Sequence, residues 1–348
     1  MSKVIQLRKE LSKISTGYGL MSLTWKEPPV PMDQAFKTMH QVIKLAQARN
    51  HKAFFNVGEF YGPDYRNLTY CKEFFAKYPD LRKDVIISCK GAYDGINFVC
   101  QGKHDQVIDS VKACVQNIGG YIDIFEPARL DMEICSKDEV YPRETFEALA
   151  ELIEEGVIGA MSLSEVVAKE ITAVHKDFAK YLACVEVELS MFTTDILHND
   201  VAKVCSEYGL IIICYSPLGR GLLTGQIKTN NDIPEGSYQK AISWFHGDRL
   251  KQNLVLVQFL ENEIRLKRDA AHAVSLTQIA LGWIKHFNSR KEFSGARFIP
   301  IPSGSTLDKI EQNFDEDKCK ITDEEFTKIE DFLKNFETQG GRYEFVHE

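Results

Sequence analysis

Eight short apolar runs, alternating with longer amphipathic stretches, constrain what this chain can fold into more than any other feature of it. The runs cover residues 17–21, 53–57, 85–89, 121–125, 157–161, 184–188, 210–214 and 298–301. Each has the length of a strand, and near-continuous hydrophobicity is what a parallel strand buried on both faces requires. Between the runs, residues 33–49 place Ala35, Phe36, Met39, Val42, Ile43 and Ala46 at helical spacing, with Asp33 as the expected N-cap. Residues 104–117, 144–155, 165–175 and 195–208 read the same way. Repetition of a strand–helix unit predicts a parallel α/β fold with short connections.

A closed (β/α)8 barrel of the TIM type fits this pattern better than an open sheet. No Gly-x-Gly-x-x-Gly turn joins a strand to a helix, and Gly219-Arg220-Gly221 lacks the third glycine. Residues 1–348 are therefore expected to form one domain, since barrels of roughly 250 residues and more fold as single units. A hydrophobic fraction of 44% is enough to fill its core. One insertion interrupts the pattern: residues 226–247 are polar and turn-rich, with Pro234 and Gly236, and a helical stretch over 248–268 follows. The last segment, 336–348, has no periodicity but carries Phe336, Tyr343 and Phe345. Two fates are open to it, folding back over the barrel mouth or fraying.

Composition excludes several classes of function. A formal charge of −8 denies the chain the basic face a nucleic-acid partner needs, and gives no attraction to anionic membranes. No apolar run approaches the roughly 18 residues that span a bilayer, and residues 1–10 lack the apolar core of a secretion signal. Nine cysteines are scattered without a Cys-x-x-Cys pair, so reduced thiols and a cytoplasmic location are expected rather than disulfides or zinc. No His-x-x-x-His pair and no Gly-x-Ser-x-Gly elbow occurs, so no metal site and no esterase chemistry is expected. The acidic clusters at 315–317 and 323–325 read as solvated helix starts.

On a barrel, the C-terminal ends of the strands carry the chemistry. Here they present Asn56, Lys90, Ala128, Ser162, Glu186, Tyr215 and Pro302-Ser303-Gly304. Five segments, in chain order, resemble the aldo-keto reductase family. They are Asn56-Val57-Gly58-Glu59-Phe60-Tyr61-Gly62, then Ser88-Cys89-Lys90, then Gln116-Asn117-Ile118-Gly119-Gly120-Tyr121-Ile122-Asp123. Tyr215-Ser216-Pro217-Leu218-Gly219-Arg220-Gly221-Leu222-Leu223-Thr224-Gly225 is the fourth, and Ile301-Pro302-Ser303-Gly304-Ser305 with Gln312-Asn313 the fifth. The resemblance covers nearly the whole chain. It implies an NADPH-dependent reductase of a small-molecule aldehyde.

The resemblance makes Tyr61 the general acid that protonates the carbonyl oxygen, with Lys90 beside it. An ordinary phenol, with a pKa near 10, is a poor acid at neutral pH, and a neighbouring ammonium is expected to lower that value. Two positions depart from the family: Asn56 stands in place of an aspartate and Ala128 in place of a histidine. A partly buried lysine needs an anion. Glu126, two residues before Ala128 on the same strand face, is the expected one. Glu59 is the second candidate, and a hydrogen bond accepted by Asn56, with water doing the rest, is the remaining option. Loss of the histidine removes a donor worth about 2–4 kcal/mol of barrier, and Ala128 leaves room for a flat polar ring. These departures, together with Met21-Ser22-Leu23-Thr24-Trp25, resemble the branch of the family that reduces pyridoxal to pyridoxine. That branch implies substrate contacts at Trp25, Phe60, Ala128 and Arg129.

Cofactor contacts are implied in the same way. Ser162 and Glu186 match positions that hold the nicotinamide carboxamide, and Tyr215 the ring that stacks on nicotinamide. Ser216, Pro217 and Leu218 match the pyrophosphate loop, whose main-chain N–H groups suit an anion. Ser303, Gly304, Ser305, Lys309, Gln312 and Asn313 match the adenosine end, where Ser305 and Lys309 favour NADPH over NADH. Two other functions stay open: a general aldehyde or ketone reductase, and an NADPH-binding scaffold with little turnover.

Overall fold

Eight parallel strands follow one another in chain order around a single sheet in the computed structural model, which describes residues 3–233, 235 and 237–344. They are β1 (Tyr18–Gly19), β2 (Ala53–Gly58), β3 (Val85–Gly91), β4 (Ile122–Pro127), β5 (Ile158–Ser164), β6 (Leu182–Glu188), β7 (Ile211–Tyr215) and β8 (Arg297–Pro300). Pro234, Gly236 and Phe345, named above, lie outside the described residues. Two main-chain bonds close the ring between its first and last strands: Gly17 N–H donates to Pro300 O at 2.9 Å and Gly19 N–H to Pro302 O at 3.3 Å. Only a residue without a side chain fits at that seam, because a Cβ on Gly19 would lie 2.8 Å from the Ile301 carbonyl oxygen. The expected (β/α)8 barrel is what the chain forms.

Alternate residues of each strand point inward, and the interior changes character along the strands. Towards their N-terminal ends, Phe54, Ile86, Ile124, Ala160, Cys184, Ile211, Ile213 and Ile299 pack together. The helix Lys3–Leu11 plugs that end with Val4 and Leu11, joined by Ile14. This helix was not among the expected elements, although Val4, Leu7 and Leu11 recur at helical spacing. Towards the other end the same inward positions become Asn56, Ser88, Lys90, Glu126 and Glu186, all buried. A polar layer on an apolar floor places the chemistry at the C-terminal mouth, as in other barrels of this kind.

The outer helices cover the strands with faces that the sequence pattern identifies. The helix Met32–Ala48 buries Ala35, Phe36, Met39, Val42, Ile43 and Ala46. Its N-cap is Pro31; Asp33 sits in the first turn, where its charge suits the helix dipole. The helix expected from 165 begins at Ala168, because Glu165 adopts a left-handed backbone, φ 57°, that a helix cannot include. Asp200, at φ 65°, likewise restricts the 195–208 prediction to a 3-10 turn at Asp195–Leu197 and the helix Val201–Glu207. The stretch expected over 248–268 is α-helical only across Gly247–Phe259, then passes through a π turn (Leu260–Ile264) and a 3-10 turn (Arg265–Lys267).

Of the two fates open to the C-terminal segment, its described residues take the first. Trp244 Nε1–H donates to Gly340 O at 2.9 Å, and Ser243 N–H to Glu344 O at 3.0 Å, tying the segment to the insertion beside the mouth. Among the described residues, no helix is long and apolar enough to cross a membrane.

Candidate active site at the C-terminal mouth of the barrel

Lys90 stands at the centre of the polar layer. Parallel pairing sets it level with Gly58 on β2 and Glu126 on β4. Its ammonium donates to Glu186 Oε1 at 2.7 Å and to Ser164 Oγ at 3.1 Å, while Glu126 Oε1 lies at 3.6 Å. Asn56 Nδ2 donates to the other oxygen of Glu186 at 2.6 Å. The hydrogen-bonded anion is therefore Glu186, reaching across from β6, and Glu126 is the more distant of two. Glu126, the expected partner, is thus joined by a closer one, Glu186, which the resemblance had placed at the nicotinamide. Glu59 is engaged elsewhere, accepting from Ser110 Oγ at 2.7 Å and Ala92 N–H at 3.1 Å. Burial opposes the charge on Lys90, but Glu186, Glu126 and Tyr61 outweigh it and hold the ammonium well above an ordinary lysine.

Tyr61 follows β2 through a tight turn that Tyr61 N–H closes on Gly58 O at 3.3 Å. Thr24 Oγ1–H donates to its carbonyl at 2.6 Å, so both sides of the turn are fixed. Gly58 makes room for the ring: a Cβ there would lie 2.8 Å from Tyr61 Cγ and 2.9 Å from both Cδ atoms. Trp25 stacks on Tyr61 with centroids 5.6 Å apart and planes 25° apart, Phe60 meets it edge-on at 5.3 Å, and Tyr93 packs on Phe60 at 5.2 Å. The expected lowering of the Tyr61 pKa is not what the site produces. Burial raises it above 10, Glu186, Glu126 and Cys89 add to the rise, and Lys90 offsets only part of it. The phenol is held protonated, which is the state a proton donor needs.

The other predicted substrate positions lie around this centre. Ala128 is buried and its N–H donates to Gly91 O at 2.8 Å. Arg129 pairs with Glu165 at 2.9 Å and lies 4.9 Å from the centroid of Tyr343. Arg342, from the C-terminal segment, donates to Glu188 at 2.7 Å, to Glu165 at 3.0 Å and to Tyr215 Oη at 2.8 Å. The Tyr343 and Tyr215 hydroxyls meet at 2.6 Å. Glu165, Glu188 and Arg342 were not singled out from sequence, and Tyr343 was named only as an aromatic of the C-terminal segment. Glu188 was within reach, since it follows Glu186 by two residues on an alternating strand. Nothing periodic marks Arg342.

On the cofactor side, the Tyr215 ring lies under the Lys90 ammonium at 5.6 Å, and the buried Ser162 hydroxyl makes one long bond, 3.4 Å, to Leu163 O. Ser216, Gly219, Arg220 and Gly221 all have positive φ, so the backbone after β7 coils tightly around Pro217 and Leu218. At the opposite seam, Ser303 Oγ donates to Gly19 O at 2.7 Å, Tyr18 Oη to Gly304 O at 2.6 Å, and Asn313 Nδ2 to Ser303 O at 3.1 Å. Gln34 anchors the Ser305 carbonyl, and Gln312 O accepts from Gln278 Nε2 at 3.3 Å. Lys309 is exposed on the helix Leu307–Asn313 and forms no ion pair among the described residues.

Comparisons with known proteins agree with the fold. The aldo/keto reductase family profile matches residues 15–334. A Saccharomyces cerevisiae protein named "Putative pyridoxal reductase" is 60% identical over 343 residues, covering 99% of both chains. A Schizosaccharomyces pombe protein named "Probable pyridoxal reductase 2" is 30% identical over 336 residues, 94% of this chain and 93% of that one. Among solved structures, a holo-form aldo-keto reductase from Bacillus halodurans shares the fold, with a TM-score of 0.67 at 18% identity over 95% of this chain and 94% of its own. The profile match, the identity to these relatives and the barrel with its mouth of Tyr61 and Lys90 together establish that the chain belongs to the aldo/keto reductase family.

Proposed function

We propose that this chain reduces pyridoxal to pyridoxine with NADPH, in the cytosol, with Tyr61 as general acid. The observation that carries the reading is a buried Tyr61, within reach of the Lys90 charge and walled by Trp25, Phe60 and Tyr93. An aromatic wall suits a flat pyridine ring, and the names of the yeast relatives support that substrate. Nine free thiols support a reducing compartment.

The residues present fit the cofactor. The loop after β7 carries a buried guanidinium, Arg220, which pairs with Glu188 at 3.5 Å through Nη2 and lies over Trp244 at 4.8 Å; its Nη1 has no hydrogen-bond partner among the described residues, and an anionic group such as pyrophosphate would satisfy it. Ser216, Pro217, Leu218 and Arg220 would hold that end, with Tyr215 and Ser162 at the nicotinamide. Ser303, Gly304, Ser305, Gln312 and Asn313 would line the adenosine, and the unpaired Lys309 favours the extra phosphate of NADPH. NADPH, when bound, supplies the hydride. Tyr61 Oη–H then gives its proton to the oxygen that becomes the alcohol, and Lys90 stabilises the phenolate left behind. Asn56, Glu126 and Glu186 hold Lys90 in place from below.

NADPH oxidation with pyridoxal, followed by absorbance, tests the reading. We expect kcat/KM for pyridoxal at least about tenfold above that for simple aliphatic aldehydes, a preference of roughly 1.4 kcal/mol. Equal efficiencies would indicate a general reductase, and tight NADPH binding without turnover a scaffold. A second variant addresses the geometry. Gly58→Ala displaces the Tyr61 ring, and a shift of the order of 1 Å is expected to lower kcat/KM about 10²-fold with NADPH affinity retained. Stopped-flow turnover and fluorescence titration of NADPH would check both halves.

A further inference from the structure

Two carboxyl groups and one ammonium share the sealed layer beneath Tyr61, and they are not equivalent. Glu186 accepts strong hydrogen bonds from Lys90 and Asn56, at 2.7 and 2.6 Å. Glu126 is 0% exposed, and neither of its oxygens has a hydrogen-bond partner among the described residues. Lys90 at 3.6 Å is its nearest cation, and that ammonium already donates to Glu186 and Ser164. An anion stripped of water, with no hydrogen bond in good geometry and only the Ser162 hydroxyl and a shared ammonium acting on it, is far more costly than a neutral acid in the same place. Charge counting agrees, since Lys90 balances one carboxylate and not two.

We infer that Glu126 and Glu186 act as a carboxyl–carboxylate pair that holds one proton, carried by Glu126, and presents a single negative charge to Lys90. A protonated Glu126 becomes a donor, and the Glu186 carboxylate, which meets the same Lys90 ammonium at 2.7 Å while Glu126 Oε1 lies 3.6 Å from it, is the acceptor at hand. Burial and the neighbouring Glu186 push the Glu126 carboxyl well above its ordinary range, while Lys90 and Ser162 pull the other way. The remaining titratable neighbours do not supply another charge within the layer: burial raises the Cys184 and Cys214 thiols, and Tyr61 is held as the phenol. Cys89 adjoins Lys90 on β3, Glu165 lies above Lys90 at the mouth, and Arg8 acts on Cys184 from the N-terminal side.

The pair is a positioning device for the proposed reaction, and its catalytic meaning rests on that reading. Each anion near Tyr61 makes the phenolate harder to form, so keeping one of two carboxyls neutral preserves the proton donor. The single carboxylate still orients Lys90, and its charge enters from β6 while Asn56 on β2 serves as a donor to it.

Two readouts test the pair without any turnover. The first is the difference infrared spectrum of wild type minus Glu126→Gln at neutral pH. It is expected to show the C=O stretch of a protonated carboxylic acid, and its absence would overturn the inference. The second is the melting temperature of both proteins across pH. A folded-state value raised above the ordinary 4.5 gives wild type a contribution that is complete below about 4.5 and lost as pH rises towards that folded value. Glutamine has no such loss. The Tm of Glu126→Gln minus that of wild type should therefore increase from about pH 4.5 upwards; a difference that falls with pH would mean that Glu126 is the anion. Glutamine is also the isostere of a neutral acid, so a Glu126→Gln chain that does not fold would count against the pair. Glu186→Gln makes Glu126 the sole anion for Lys90, and should abolish the carboxylic acid band as well. If these spectra and melts come out as expected while pyridoxal is not reduced, the pair stands and the proposed reaction fails.

Discussion

Tyr61→Phe is expected to lower kcat for pyridoxal by about 10²–10⁴, the range that a positioned general acid contributes. The ring remains well supported after the change. Its backbone carbonyl still accepts from Thr24 Oγ1, Trp25 still stacks on its face, and Gly58 still admits it. The Tyr61 hydroxyl donates to no protein group in the hydrogen bonds of the described residues, so its removal strands no partner, and stability should change by less than about 0.5 kcal/mol. KM and NADPH affinity should hold, because the missing interaction is one made as the alkoxide develops. Single-turnover kinetics beside a thermal melt separate these effects. A loss of less than tenfold with an intact fold would place the proton donor elsewhere. Because burial and the Glu186 carboxylate keep the phenol protonated, the donor should remain available on the alkaline side of neutrality, where an acid of ordinary carboxyl or imidazole strength would already be spent.

Much of this architecture is legible in sequence, and for a physical reason. A strand covered on both faces must be apolar almost throughout, so β2 to β8 announce themselves as runs that turns and helices cannot imitate. The inward alternation of β4 also points Glu126 towards Lys90 from the two-residue period alone. What sequence does not carry is pairing across the closed ring. Glu186 lies 96 positions from Lys90 and 130 from Asn56, and only the curvature of the barrel brings the three together. Departures in the helices come from single residues forced into left-handed backbone, Glu165 and Asp200, whose conformations answer to tertiary context. In the case of Glu165 that context is visible: its carboxylate is drawn to Arg129 and Arg342 at the mouth. The C-terminal segment shows the same limit. Arg342 is anchored by Glu188, Glu165 and Tyr215, groups that lie far apart in the chain and meet only on the finished barrel.

Lys90→Met tests whether the polar layer works as one unit. Methionine keeps most of the stem's volume and removes the charge, so packing against Tyr215 survives while Glu186 loses the donor at 2.7 Å. Asn56 remains, at 2.6 Å, as the principal support of a carboxylate that is only 1% exposed. Breaking a buried ion pair on one side costs about 3–5 kcal/mol, which in a protein of this size should lower Tm by roughly 4–7 °C. Turnover should fall at least as far as in Tyr61→Phe, because the phenolate left after proton donation would face Glu186 without the one cation that offsets it. Adding Glu186→Gln to Lys90→Met separates the two consequences. With both charges gone the layer is neutral, and most of the lost Tm should return, since removing both partners of a buried pair is far less damaging than removing one. Activity should not return with it. A double variant as unstable as the single one would mean that Lys90 contributes by packing alone; recovery of turnover would mean that Tyr61 acts without an ammonium behind it.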